Sequence, residues 1–163
     1  SYRLDSLAFS VKSTSDIARV SGPADLAGKK VIVGSGTNQE RILLDWNAEN
    51  EAAGRQPALP VYLTDDASGN LYIQSGRADV FFGPQSVAAY KAALSGKTKV
   101  VGLGPKKAYV ATTTKKGNGL APALQAALNG AIARGEYQKV LARWGEQGEE
   151  VTQSEVNPPG ITY

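Results

Sequence analysis

Short apolar segments that alternate with helical patterns constrain the fold of this chain most strongly. Each is only a few residues long, is rich in β-branched or aromatic side chains, and is followed by a turn or a helical pattern. Such alternation is typical of βαβ units, in which helices cover both faces of a parallel sheet. The sequence therefore predicts an α/β lobe with a mostly parallel, five-stranded sheet. The predicted strands are Leu7–Lys12, Val31–Val33, Pro60–Thr64, Ala78–Phe82 and Lys99–Gly102.

Apolar residues at helical spacing mark the helices. The first long helix is predicted over Asn38–Ala53, where Ile42, Leu43, Trp46 and Ala53 form the apolar side. After Gly104 the pattern changes to a β-branched strand, a turn and two helices. These segments are Ala108–Thr114, Gly117–Gly119, a stripe of Leu120, Leu124, Leu128 and Ile132, and a last helix striped by Tyr137, Val140, Leu141 and Trp144.

The segment from Gly34 to Gln39 joins a buried strand to the first long helix. Its residues Gly34, Ser35, Gly36, Thr37, Asn38 and Gln39 are small or polar. Backbone N–H groups at a helix start lack intrahelical acceptors and lie at the positive end of the helix dipole, so they attract anions. Thr37 followed by Glu40 also fits a capping box, which only begins a helix. The segment is a candidate anion site or a structural cap.

Composition excludes several kinds of chemistry. The 163 residues contain no cysteine and no histidine, which leaves no disulfide, thiolate nucleophile, Cys/His metal site or histidine-based triad. The net charge is only +3, and the basic residues occur in scattered pairs without interleaved aromatic residues. We therefore expect no metal, no cofactor, no catalytic residue and no nucleic-acid partner. The chain also lacks methionine and starts within a structured pattern, so we expect a processed or truncated piece of a longer product.

Several motifs in fixed order resemble those of the family 3 extracellular solute-binding proteins, the receptors of polar amino acid ABC transporters. The resemblance covers nearly the whole chain. The matching pieces are Ala24–Val31 followed by Gly34–Thr37, Ser75–Val80 followed by Val87–Tyr90, and then Lys115–Gly117, Gly135–Tyr137 and Lys139–Gly145.

The resemblance implies a periplasmic-binding-protein type II fold, in which two α/β lobes close on a ligand. Residues 1–7 would form a hinge strand, residues 8–104 lobe 2, and residues 105–163 the second hinge and the segment that returns to lobe 1. The N-terminal bulk of lobe 1, with its ligand-gripping arginine, would be missing. The stripe of the first C-terminal helix would then lack its packing partner, and its apolar face would be open to self-association.

The resemblance also implies a binding site built from two loops. The loop at Ser35–Asn38 would offer N–H groups and hydroxyls to the carboxylate of the ligand. The second loop departs from the family, because Gly83 is followed by Pro84 and Gln85 where an ammonium-binding Asp is expected. Proline carries no charge, and a neutral amide binds a cation less strongly than a carboxylate does. Either the ammonium is held elsewhere, or the ligand has none.

Other polar and aromatic residues have a structural and a functional interpretation. Asp79 is expected at the far end of its strand, in a structural role. Asp65 and Asp66 are spare ammonium candidates, with helix capping favoured. Tyr62, Tyr72 and Phe81 are interpreted as core residues, and so are Trp46 and Trp144.

The implied function is the substrate-binding component of an ABC importer for amino acids or related small polar solutes. Its partners would be that ligand and the transporter permease. Its location would be extracytoplasmic, either periplasmic or lipid-anchored as a lipoprotein. Two alternatives stay open: the sensor domain of a receptor kinase, and a cyclohexadienyl dehydratase-like enzyme on the same fold. The absence of histidine and of the expected Asp argues against the enzyme.

Overall fold

The computed structural model describes residues 1–63 and 66–159, the side chains at 66 and 67 excepted. The strands are β1 (Arg3–Lys12), β2 (Lys30–Val33), β3 (Leu59–Tyr62), β4 (Val80–Pro84) and β5 (Thr98–Val110). The helices are α1 (Asn38–Ala52), α2 (Asp66–Gln74), α3 (Gln85–Ser95), α4 (Leu120–Ala133) and α5 (Glu136–Trp144). Two short 3-10 helices lie at Pro23–Leu26 and Gln147–Glu149. None of the described helices is both long enough and apolar enough to cross a membrane.

The five strands form one mixed sheet in the order β3-β2-β4-β1-β5. Strand β2 runs parallel to both of its neighbours, β3 and β4. Strand β1 runs antiparallel to β4, with Phe9 opposite Phe82. The predicted α/β class with a five-stranded sheet is confirmed.

Contacts divide the chain into two compact units. Unit 1 comprises residues Ser1–Ser6 and Lys106–Tyr163, and unit 2 comprises Leu7–Pro105. Strands β1 and β5 each begin in one unit and end in the other.

The core of unit 2 is built around stacked aromatic rings. Phe9 is fully buried, and its ring centroid lies 4.1 Å from that of Phe82 and 5.4 Å from that of Trp46. Aliphatic side chains of β2 and α1 complete this cluster. Because successive strand residues point to opposite faces, Ile32 belongs instead to a second cluster with Ile73 and Ala78. Helices α1 and α2 are thereby fixed on opposite faces of the sheet.

Unit 1 has a smaller core between its two helices and the C-terminal strap, which we define as Glu149–Glu155. Tyr137 and Leu141 of α5 pack with Val151 of the strap, and Leu128 and Ile132 of α4 contact this cluster. The strap is hydrogen-bonded to both helices: the N–H of Val151 donates to the Tyr137 hydroxyl at 3.0 Å, and the N–H of Ser154 donates to Asn129 Oδ1 at 2.8 Å. The N-terminal half of the predicted apolar stripe on α4 is exposed to solvent, since Leu120 and Leu124 are 52% and 45% exposed.

Strand β5 differs from the prediction of two short strands. It is continuous over Thr98–Val110, and residues 111–115 form no strand. The predicted strand ends at Gly102 and the pattern changes after Gly104, but in the structure both glycines lie within β5 and allow close packing. A Cβ on Gly102 would lie 1.9 Å from the carbonyl oxygen of Val20, whose own N–H donates to Val101 at 2.8 Å. Glycine here serves a close backbone approach.

Two aromatic residues interpreted as core are exposed. Tyr62 is 50% exposed on the edge strand β3, and Trp144 is 65% exposed at the end of α5. Strand and helix periodicity predicts which side a residue faces, but it does not show whether another element covers that side. Trp46, by contrast, is 9% exposed in the core of unit 2, as predicted.

Candidate functional site

Helix α1 begins at the end of β2 with Thr37 as its N-cap. The Thr37 hydroxyl accepts the N–H of Glu40 at 3.4 Å and donates to the carbonyl of Gly34 at 2.7 Å. These two bonds close the turn between strand and helix and satisfy one amide of the first helical turn. The predicted cap is confirmed.

Glu40 holds the loop through a different amide from the one a standard capping box uses. Its carboxylate accepts the N–H of Gly36 at 2.6 Å, rather than that of Thr37. Hydrogen bonds from the Tyr62 hydroxyl and then from the Gly36 N–H lower the pKa of Glu40 below its usual range. The amide of Gly36 is therefore occupied by the Glu40 carboxylate. A ligand at this loop would have to bind the amides of the residues that follow Gly36.

Three consecutive amides remain at the start of α1. Within the described part of the chain, no acceptor takes the N–H groups of Thr37, Asn38 or Gln39. Residues 34–37 are exposed, so a small ligand can reach these groups from solvent. A shallow cleft of about 370 Å³ adjoins this row of amides at Thr37 and is lined further by Gly36, Glu40, Arg41, Leu44 and Asp45, of which two are acidic. The free amides, rather than the cleft, suit the binding of one carboxylate group.

The second predicted loop, residues 83–86, does not exist as a loop. Strand β4 extends to Pro84, and α3 begins at the next residue, Gln85. Pro84 is the N-cap of α3 and contributes no side-chain hydrogen bond to it. Gly83 is buried, and a Cβ there would lie 2.4 Å from a ring carbon of Phe81. Gly83 is therefore required by packing. Of the predicted site residues 83–85, only Pro84 and Gln85, at the junction of β4 and α3, are partly exposed and could contact a ligand.

The parallel pairing of β2 with β4 places the two helix starts at the same sheet edge. Val31 lies opposite Val80 and Ile32 opposite Phe81, so the strands end beside one another. Neighbouring strands are about 4.8 Å apart, and the carboxyl ends of parallel strands form the usual ligand edge of open α/β sheets. The structure thus brings the predicted segments 34–39 and 83–85 to one edge of unit 2.

The other residues that the sequence suggested for the binding site either make structural contacts or are not described by the structure. Asp79 accepts the N–H of Lys30 at 2.8 Å at the opposite end of the strands, as predicted. Tyr72 and Phe81 pack against the second core cluster. Asp65 and the side chain of Asp66 lie outside the described residues, so their capping or binding roles stay predictions.

Sequence reasoning missed the contribution of Tyr62 to this edge. Its position opposite Val33 in the β3–β2 pairing places it on the face covered by α1, where its hydroxyl reaches Glu40. The hydrogen bond to Glu40 raises the pKa of Tyr62. The strand pairing that brings Tyr62 to Glu40 is long-range, and no local sequence signal encodes it.

Solved structures show where this fold occurs. The chain is similar to a probable amino-acid ABC transporter extracellular-binding protein from Bacillus subtilis, with 25% identity and a TM-score of 0.74 over 90% of this chain and 62% of that one. It is similar to an amino acid ABC transporter substrate-binding protein from Streptococcus pneumoniae bound to L-arginine, with 22% identity and a TM-score of 0.71 over 92% and 61% of the two chains.

A third similar structure is an ancestral arginine-binding protein bound to arginine, with 23% identity and a TM-score of 0.61 over 86% of this chain and 60% of that one. No protein-family model and no curated protein matches the chain. The chain spans 60–62% of the length of these three solved proteins. Its fold is therefore the one seen in solved substrate-binding proteins of amino acid ABC transporters, of whose length it spans about three fifths.

Proposed function

We propose that this chain carries the ligand-binding lobe of the substrate-binding component of an ABC importer for amino acids or related small polar solutes. Unit 2 would be lobe 2, the paired crossings of β1 and β5 would be the hinges, and unit 1 would belong to lobe 1. In the whole protein, a ligand would shift the population toward the closed form of the two lobes, which the permease would recognise. The location would be extracytoplasmic, in keeping with the extracellular-binding protein to which the chain is similar.

The observation that supports this proposal most is the free amide row of Thr37, Asn38 and Gln39 at the carboxyl edge of the sheet. Three amides at the positive end of a 15-residue helix suit a single carboxylate. The cap geometry and the Glu40 bond keep the loop in place before any ligand arrives, which lowers the ordering cost of binding.

Pro84 sets the proposed choice of ligand. It stands at the end of β4, where the amino acid receptors of this family are expected to carry an Asp. Without that carboxylate, an α-ammonium group gains no charge-assisted partner at this position. We therefore propose that a ligand carboxylate contributes most of the affinity and that an α-ammonium contributes little.

Calorimetric titration of the 163-residue chain tests this proposal. The ligands are L-arginine and its deamino analogue 5-guanidinopentanoate, which differ only in the α-ammonium. Both should bind weakly and within a few-fold of each other, because half of the cleft is missing. If neither compound nor any member of a broader amino acid and organic acid panel binds, the solute-binding proposal is wrong. If arginine binds far more tightly than the analogue, the interpretation of Pro84 is wrong.

A pair of matched variants identifies the carboxylate site. Thr37→Val keeps the side-chain shape but removes the cap, and it should weaken binding by about fivefold, since a lost cap costs about 1 kcal/mol. Thr14→Val changes an exposed threonine of the loop after β1 and should leave binding unchanged. Equal affinities for the two variants would contradict the assignment of the Thr37 loop to the carboxylate.

A further inference from the structure

Unit 1 contains an uneven cluster of charged groups between its N-terminal strand segment and its C-terminal strap. Glu149 is only 3% exposed, and its carboxylate accepts the guanidinium of Arg3 and the N–H of Ser6, the latter at 3.1 Å. The Asp5 carboxylate lies 3.8 Å from the same guanidinium. Two carboxylates thus face the same partly buried guanidinium, that of Arg3.

Asp5 is poorly accommodated in this cluster. Among the described residues, its Oδ1 atom is buried and has no hydrogen-bond partner. An ionised oxygen that has no hydrogen-bond donor, and whose ion pair with Arg3 is as long as 3.8 Å, recovers only part of its desolvation cost, whereas a protonated carboxyl carries much less of that cost. The geometry of the cluster therefore favours protonation of one of the two carboxyls that face Arg3.

The charged groups that face this pair come from each neighbouring element. Glu146, which precedes the strap, adds a third negative charge near both carboxyls. Tyr137 of α5 is also close, since the charges of Glu150, Arg3 and Glu149 all act on its hydroxyl. Lys107 of β5 donates to the carbonyl of Gly148 at 3.1 Å, so its charge binds backbone rather than the carboxyls.

We propose that Asp5 and Glu149, with Arg3 and Glu146, form a pH-sensitive clasp that holds the C-terminal strap to the N-terminal strand more firmly in mild acid than at neutral pH. The clasp acts at Ser6, the last residue of unit 1 before β1 continues into unit 2, because the N–H of Ser6 is bound by Glu149. This inference is independent of the proposed solute-binding role.

The direction of the effect follows from the carboxyl groups. Desolvation raises the pKa of Asp5 and of Glu149, and the Arg3 guanidinium offsets this only in part. A carboxyl whose pKa is raised by folding contributes full stability below its ordinary pKa, near 4, and loses that contribution as the pH rises through the raised value. The strap should therefore loosen as the pH rises above about 4.

Thermal unfolding of the chain at pH 4.5 and pH 8 tests the clasp. Asp5→Asn removes one of the two carboxylate charges that face Arg3 and should raise Tm at pH 8 by roughly 2–4 °C relative to the unmodified chain, with a much smaller difference at pH 4.5. Asp16→Asn changes an exposed loop carboxylate and is the matched control, which should show no such pH dependence. A Tm difference for Asp5→Asn that is equal at both pH values, or negative at pH 8, would overturn the proposal.

Carboxyl NMR titration provides a second test that does not depend on how well Asp5→Asn folds. The unmodified chain should show Asp5 and Glu149 midpoints above the ordinary values of about 3.9 and 4.3. Glu146→Gln should lower both midpoints, because it removes a repelling charge. Midpoints at or below the ordinary values, or midpoints unmoved by Glu146→Gln, would also overturn the clasp.

Discussion

Replacing Gly36 with alanine separates the conformation of the ligand loop from its packing. Gly36 has φ +71°, in the left-handed region that disfavours side chains, and a Cβ there would meet no atom within 4 Å. Alanine in that region costs about 1–2 kcal/mol, and the smaller entropy of the unfolded alanine chain returns about 0.4–1 kcal/mol. The net loss of unfolding free energy should be about 1 kcal/mol, with no contribution from steric clash.

Gly54 offers a matched control for this substitution. It follows α1, has φ +70°, and also has open space around its Cβ position. Gly36→Ala and Gly54→Ala should therefore lower stability by the same amount, measured by denaturant titration of tryptophan fluorescence. Only Gly36→Ala should also weaken ligand binding, because its amide is held by Glu40 in the proposed site.

Two results would refute this reasoning. A stability loss of several kcal/mol for Gly36→Ala alone would show that the loop is tightly packed, in conflict with the open space around it. Equal ligand affinity for both alanine variants would show that the conformation of Gly36 does not matter for binding.

Three further predictions concern the core and two carboxyl groups. Phe9→Ala should lower the unfolding free energy by about 3–5 kcal/mol, because a fully buried ring between two aromatic neighbours is removed; denaturant titration checks this. Hydrogen bonds from the Ser21 N–H and then from its hydroxyl lower the pKa of Asp25. The unmodified chain should therefore be more stable than Asp25→Asn at pH 7, and the difference should fade as the pH falls below about 4. Thermal unfolding of both chains over this pH range measures the difference. Tyr62→Phe removes the hydroxyl that donates to the Glu40 carboxylate, so the pKa of Glu40 should rise in a carboxyl NMR titration. An unchanged Glu40 midpoint would show that this hydrogen bond is absent in solution.

Much of the fold follows from local patterns in the sequence. Strand β2 and helix α1 were predicted almost to the residue, because an apolar run, a threonine cap and a helical stripe all indicate the same boundary. The α/β class followed from the alternation of such segments. The antiparallel placement of β1 beside β4 did not, since strand order depends on long-range pairing.

The errors occurred where tertiary contact overrides a local signal. The fifth strand is predicted to end at Gly102, with a new pattern after Gly104, but both glycines allow β5 to pass close to Val20 and Leu7. The Gly83–Pro84 pair was interpreted as a loop, yet β4 leads directly into α3. In each case glycine or proline had a packing or capping role that only the neighbouring elements reveal.

The candidate site was predictable in part for the same reason. The capped start of α1, where we propose that a carboxylate binds, is encoded within six consecutive residues, 34–39. The Glu40 carboxylate that occupies the Gly36 amide, and the Tyr62 hydroxyl that supports it, are set by side-chain packing across elements. Sequence reasoning therefore located the loop but not which of its amides stay free.

A two-dimensional amide NMR titration of the ¹⁵N-labelled 163-residue chain with L-arginine and 5-guanidinopentanoate tests the central claim most directly. The amides of Thr37, Asn38 and Gln39 should shift together, with those around Gln85, along one binding curve for each ligand. Amides at the far end of the strands, such as Lys30, should stay in place. Shifts confined to other parts of the chain, or none at millimolar ligand, would contradict a ligand site at the carboxyl edge of β2 and β4.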